Sequence, residues 1–351
     1  MRYLPGDLIA FAASVGQSLG MEPTEARHFS QSLVYADMRG LHSHGLMRMP
    51  TYVERIRRGL IAVGAQPDVL RDGGSLLAID GGNGLGACIA QKVMELCVER
   101  ARETGVCIAA VQNSNHFGYS AYFTGYAAAC HMVGFAVANA FKSMAPYGGT
   151  QPMLGTNPLC VAIPAYGREP FVLDMATSLV AQGKIILAEK EGRQIPLDWG
   201  LDSEGRPTSD PAAVLDGGSL TPFGGAKGYG LALMIELLCV CLANAAKSTE
   251  MGSMYDFTRV QGTGFVLGAI DPGRIMDPCQ FENAVTQLLA EIKASPKSWG
   301  TEEIYIPGEI EAHKFQEALE SGIDLSEPVI RELRRIGADC GMPFPVSFAD
   351  L

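Results

Sequence analysis

Ser75-Leu76-Leu77-Ala78-Ile79-Asp80-Gly81-Gly82-Asn83-Gly84-Leu85-Gly86-Ala87 runs from a short apolar strand, through a glycine turn, into a helix expected over residues 89–103. Outward from it the pattern repeats, with a strand expected over 106–111, a helix over 119–129 and a strand over 133–138. Strands and helices in alternation specify an α/β layered fold. Gly82 to Ala87 also fits G-x-G-x-x-A, the pyrophosphate turn of a doubly wound nucleotide domain. The rest of that pattern is missing: the strand over 106–111 ends at Gln112-Asn113, where an acid for the ribose hydroxyls is required. The glycines therefore read as turn formers, and a Rossmann site is not expected.

The flanks differ from this core. Residues 1–60 read as helical, with one helix over 24–38 stopped by Gly40 and a second, capped by Ser43, running to about residue 58. Residues 64–74 form a turn-rich connection, the helix expected over 229–245 is apolar nearly all round and should be buried, and residues 309–341 form a charged helical outer layer. Three parts follow: a helical segment over 1–72, an α/β core over 73–280, and a helical segment over 281–351 that packs with the first.

With 47% hydrophobic and 19% charged residues, the chain of 351 residues has the makeup of a globular protein with a large core. A net charge of -11 without a basic stripe excludes a nucleic-acid surface. No apolar run reaches bilayer length and the first residues lack a signal-peptide core, so a cytoplasmic protein without membrane partners is expected. Nine scattered cysteines with no Cys-x-x-Cys read as buried thiols. His42 and His44 lack acidic or cysteine neighbours at ligand spacing, so no metal is expected.

Four segments hold chemistry. In Arg39-Gly40-Leu41-His42-Ser43-His44-Gly45-Leu46-Met47-Arg48, a helical turn from His44 to Arg48 aims an imidazole and a carboxylate-binding fork at one cleft. His116 follows a strand, where α/β folds gather binding groups, and Asp174 ends another, where a carboxylate can fix an imidazole's tautomer. Lys227 stands in a glycine-rich helix entrance that is not a Walker loop but lets a phosphate or ribose approach the backbone.

Taken together, His42-Ser43-His44-Gly45 with Arg48 and Tyr52, Asn115-His116-Phe117-Gly118, Ala145-Pro146-Tyr147-Gly148-Gly149, Gly155-Thr156-Asn157-Pro158, Asp174-Met175-Ala176-Thr177 and Lys227-Gly228-Tyr229-Gly230 resemble the malate/L-lactate dehydrogenase family, the type unrelated to Rossmann lactate and malate dehydrogenases. The resemblance spans nearly the whole chain. Gly252 to Asp256 and Tyr305 to Glu309 look most like its ureidoglycolate dehydrogenase branch.

The resemblance implies a three-layer α/β/α fold with a mixed sheet, a non-Rossmann nicotinamide site for NAD or NADP, and a homodimer. It also implies that His44, His116 and Asp174 serve catalysis, that Ser43, Arg48 and Tyr52 meet a small carboxylate substrate, and that Asp174, Met175, Ala176, Lys227, Pro307, Gly308 and Glu309 meet the dinucleotide; Lys142 is expected to meet a second anionic group on the substrate or the cofactor. The expected reaction is reversible hydride transfer at C2 of a 2-oxo or 2-hydroxy acid of malate, lactate, sulfolactate or ureidoglycolate type, with His44 polarised by Asp174 as the proton donor and His116 as co-catalyst or the alternative acid. Reduction of a cyclic imino acid is the alternative, and a non-catalytic ligand-binding relative a third. Tyr119, a bulky ring immediately after Gly118, and Lys142 depart from the common family pattern and bear on substrate shape.

Overall fold

The computed structural model describes residues 1–347. Its centre is a seven-stranded mixed sheet in the order Asp68–Asp72, Leu76–Asp80, Val106–Ser114, Thr263–Ile270, Val133–Ala138, Leu159–Ile163 and Phe171–Met175. Leu76–Asp80 and Val106–Ser114 run parallel, as a strand–helix–strand unit requires, and every other neighbouring pair in this sheet is antiparallel. That arrangement is not doubly wound.

Alternation along the strands divides the core into two faces. Ala109, Val111, Ala136, Ala138, Phe265 and Leu267 pack under the helices Gly86–Thr104 and Ala121–Ala129. Ile108, Ala110, Phe135, Val137 and Val266 face the opposite way, toward Ile235, Leu238 and Cys239 of the helix Ala226–Leu237 and its π-helical continuation Leu238–Leu242. The three expected layers are therefore present. A separate core joins the ends of the chain: Leu8, Phe11 and Val15 of Pro5–Ser18 and Leu33 and Val34 of Pro23–Met38 meet Ile330, Leu333 and Ile336 of Glu327–Cys340.

Four local expectations need correction. Residues 43–58 are not one helix: two 3-10 turns, His42–His44 and Leu46–Arg48, precede the helix Met49–Arg57. They are separated at Gly45, whose extended backbone (φ -88°, ψ -153°) breaks the helical run. The 64–74 connection contains the strand Asp68–Asp72, whose fully exposed residues carry no alternation to read. The apolar helix after Lys227 is only half-covered, with Met234, Leu237 and Leu242 exposed on its outer side. The helical segment expected from residue 281 begins earlier, with the helix Pro278–Lys293, and Asp277 before Pro278 is its start signal: the Asp277 side chain accepts from Gln280 N at 3.0 Å.

The glycine turn also has a structural purpose. A Cβ on Gly86 would stand 2.1 Å from the Asn115 carbonyl oxygen and 2.6 Å from that of His116, so glycine there admits the His116 segment against the helix start. Asn115 Nδ2 locks the contact by donating to Asn83 O at 3.0 Å and Gly84 O at 2.9 Å.

Candidate active site

The 3-10 turns holding His44 and Arg48 rest on a buried carboxylate. Asp37, in the last turn of Pro23–Met38, accepts from Leu46 N at 2.7 Å through Oδ2 and pairs with His42 Nδ1 at 2.8 Å through Oδ1. A Cβ on Gly45 would lie 2.2 Å from that carboxylate, which is why the loop can sit so close only with glycine. Burial pushes the Asp37 carboxyl up from its ordinary value, with His42 and Leu46 opposing the shift.

On this support Ser43 Oγ bonds His44 Nδ1 at 2.9 Å, and Arg48 Nε donates to Ser43 O at 2.5 Å. Ser43 is thus tied to both residues instead of capping a helix. The His44 ring stacks on that of His116, with 5.7 Å between centroids and 25° between planes. Tyr52, from the helix Met49–Arg57, bonds His116 Nδ1 through its hydroxyl at 2.7 Å, while Gln261 Oε1 accepts from His116 N at 3.0 Å. Burial keeps the Tyr52 phenol protonated by raising it, so a donating Tyr52 leaves the proton of neutral His116 on Nε2.

Burial, reinforced by the Arg48 charge, pushes His44 down to about 4. His116 lies well below its ordinary value because of burial first, then His44 and Arg48. Both rings are neutral at pH 7, and an anion placed on Arg48 would remove part of what keeps them so.

Asp174 belongs to a neighbouring cleft. Its Oδ2 accepts from Ala121 N at 2.8 Å, satisfying the start of Ala121–Ala129. It also meets the Cys160 thiol. Burial raises its carboxyl to about 7. Among the described residues, the hydrogen-bond partner of His44 is Ser43, so the expected polarisation of His44 by Asp174 is not present in this arrangement. The sequence interval carries no sign of this, because the Asp174 carboxylate is spent on a helix start.

About 270 Å³ of space lies beside Asp174, lined by Leu41, Tyr119, Pro307, Gly308, Ile310 and Glu311 among others. The bulky Tyr119 forms part of this wall and packs on Tyr35, 6.0 Å between ring centroids. Pro307 O accepts from Val172 N at 3.0 Å, and Gly308, at φ +91°, has no room for a Cβ beside Val172. Glu309 is held by the Lys293 ammonium and accepts from Ile306 N at 3.1 Å.

Met175 and Ala176 continue from Asp174 to Thr177. Thr177 N donates to Thr156 O at 2.9 Å, and Phe223 N to Thr177 O at 3.0 Å, so this stretch lies beside the segment leading to exposed Lys227 in the first turn of Ala226–Leu237. Lys142 is not brought into the group around Arg48; its described hydrogen bond is from its backbone N–H to Ser248 O, 3.2 Å.

Two groups were not singled out from sequence. Arg48 Nη1 donates to the Tyr255 hydroxyl and to Met254 Sδ at 3.3 Å. Glu236, buried, accepts from Ser248 N and Ser248 Oγ at 2.7 Å each and from Asn157 Nδ2 at 3.1 Å, binding together loops far apart in sequence. An acid inside an apolar helix was the available signal for Glu236.

A family profile described as malate/L-lactate dehydrogenase matches residues 5–334. The chain belongs to that family. It is 34% identical over 339 residues to the L-sulfolactate dehydrogenase of Methanothermobacter thermautotrophicus, covering 97% of each chain. It is 34% identical over 343 residues to the malate dehydrogenase of Pyrococcus abyssi, covering 96% of this chain and 94% of that one. A Pseudomonas putida Delta(1)-pyrroline-2-carboxylate/Delta(1)-piperideine-2-carboxylate reductase is 31% identical, covering 94% and 95%. The solved sulfolactate dehydrogenase of Methanocaldococcus jannaschii superposes with a TM-score of 0.91 at 34% identity, covering 98% of each chain. The expected family and its non-Rossmann α/β fold both hold.

Proposed function

We propose that this protein reduces a small 2-oxo acid, and oxidises the matching 2-hydroxy acid, with NAD or NADP as hydride carrier. The observation that carries the reading is the Arg48–Ser43–His44–His116–Tyr52 group, which sets a guanidinium beside two stacked neutral imidazoles. Malate and sulfolactate, the substrates in the relatives' names, are both 2-hydroxy acids with a second anionic group.

Arg48 holds the substrate carboxylate. Charge neutralisation on binding raises His44, which then supplies a proton to the oxygen formed at C2, a role worth about 10² to 10⁴-fold. His116, kept in one tautomer by Tyr52, assists as co-catalyst, and Ser43 orients His44.

The dinucleotide supplies or accepts the hydride. Residues that fit it are Asp174, Met175, Ala176, Pro307, Gly308 and Glu309 around the second cleft, and Lys227. Support for the fit comes from Gly224, where a Cβ would meet open space, and from the free amides of the long helix that starts at Ala226, a surface suited to phosphate. Asp174 acts here as a wall of the cofactor cleft instead of as the partner of His44. Lys142, outside the group around Arg48, is assigned to a second anionic group on the substrate or the cofactor.

The segment over 1–72 supplies the clamp, 73–280 the cofactor core, and 281–351, described to residue 347, backs the first and lends Pro307 and Gly308 to the cofactor cleft. Exposed Met234, Leu237 and Leu242 along one helix support a homodimer that covers them, and nine free cysteines support a reducing, cytoplasmic setting.

Absorbance at 340 nm with each cofactor against pyruvate, oxaloacetate, sulfopyruvate, 2-oxoglutarate and the oxidation of ureidoglycolate tests the reading. Near-wild-type turnover in both His44→Ala and His116→Ala would sink the assignment of the proton donor. The Pseudomonas putida relative favours a second reading, reduction of a cyclic imine carboxylate, in which the same clamp serves and nitrogen takes the proton; turnover of cyclic imino acids in place of oxo acids would select it.

A further inference from the structure

We infer that Tyr255 is a further substrate-binding residue, whose hydroxyl donates to the anion held by Arg48. The inference rests on the clamp assigned to Arg48 above. A guanidinium offers five N–H groups along two edges that match a carboxylate: the side edge, which includes Nε, and the end edge between the two terminal nitrogens. Here the side edge is occupied from within the chain, since Arg48 Nε donates to Ser43 O at 2.5 Å. At the end edge Nη1 already donates to the Tyr255 hydroxyl and to Met254 Sδ at 3.3 Å, which leaves the Nη2 N–H groups for an anion.

Tyr255 stands at that end. Its hydroxyl oxygen accepts from Arg48 Nη1, so its own proton is free for an acceptor beside the guanidinium. The residue is 52% exposed. Its position is built in. Fully buried Arg55 donates to three carbonyls of the same loop, Ser253 O at 3.3 Å, Asp256 O at 2.7 Å and Arg259 O at 3.0 Å. Farther along, Gln261 accepts from the His116 amide at 3.0 Å. One loop thus touches both the carboxylate clamp and the backbone of His116.

The test compares the wild type with Tyr255→Phe, which removes only the hydroxyl and retains the ring near Arg48. Oxalate, a carboxylate probe, is titrated into each protein in the presence of NADH or NADPH, and steady-state kinetics are run on the oxo acid turned over fastest. Loss of a hydrogen bond to a charged group should weaken oxalate binding and raise KM by roughly 10-fold or more. The kcat should stay within about twofold and cofactor affinity should not change, a split that a general loss of structure would not give. Equal oxalate affinity in the two proteins, or no oxalate binding by the wild type, overturns the inference. A wild type that binds oxalate with Tyr255-dependent affinity yet reduces no oxo acid leaves the inference standing and overturns the proposed reaction.

Discussion

The imidazoles of His44 and His116 lie stacked with 5.7 Å between ring centroids, and the charge of Arg48 acts on both. Two adjacent bases and a fixed cation cannot all carry charge, and burial sharpens the conflict. His44 binds its proton near 6.5 when unfolded and only near 4 when folded. The unfolded chain therefore holds more protons across that window, and this contribution to stability is present above about 6.5 and lost as pH falls toward 4. His44→Gln should flatten that part of the curve relative to wild type. Urea midpoints at pH 4.5 and pH 7 measure it, and parallel curves for the two proteins would contradict the assignment.

Binding of an oxo acid to Arg48 should be accompanied by proton uptake near pH 7, because the ligand's charge offsets the guanidinium that helps hold both imidazoles neutral. Calorimetry in two buffers of different ionisation enthalpy reads the number of protons taken up. Identical heats in the two buffers would show that the histidines stay neutral in the complex.

Asp174 predicts the opposite pH trend in stability. Its carboxyl titrates near 7 in the folded protein against 3.8 as the ordinary value, with burial as the main cause. The folded state holds the extra proton between those values, so ionisation destabilises it as pH rises through 7. Asp174→Asn keeps an oxygen for Ala121 N and removes the charge. Its Tm should exceed that of wild type at pH 8, and the gap should close toward pH 4.

Gly45→Ala should disable the clamp more than it harms the fold. The new methyl would overlap the Asp37 carboxylate, so the segment that carries His44 and Arg48 must move. Overpacking of this kind costs about 1–3 kcal/mol. Thermal unfolding should show a modest loss beside at least a tenfold fall in kcat/KM; unchanged kinetics would mean that the loop position does not matter.

Arg48→Lys should raise KM for the oxo acid strongly with a smaller effect on kcat. An ammonium cannot keep the planar contacts of Arg48 to Ser43 O and Tyr255 and still present directed N–H groups to a carboxylate. An unaltered KM would remove Arg48 from the substrate site.

Much of this was legible because it is local. The strand expected over 133–138 has those limits in the structure, Val133–Ala138, since it buries residues on both faces of the sheet and is apolar throughout. The edge strand Asp68–Asp72 escaped because an exposed strand needs no hydrophobic pattern. The stop at Gly45 escaped because its cause is Asp37, a residue eight positions away in another helix.

The sequence by itself determined the α/β class, the family, and the residue types available for chemistry: two histidines, an arginine, a tyrosine and an aspartate in separated blocks. Each of those follows from local pattern and motif order. Only the tertiary structure decided how they combine. Asp174 went to the start of Ala121–Ala129 while His44 took Ser43, and Tyr255 came to Arg48 from 207 residues away. Hydrogen-bond partners are chosen by distance and burial in the folded chain, and no spacing along the sequence records them.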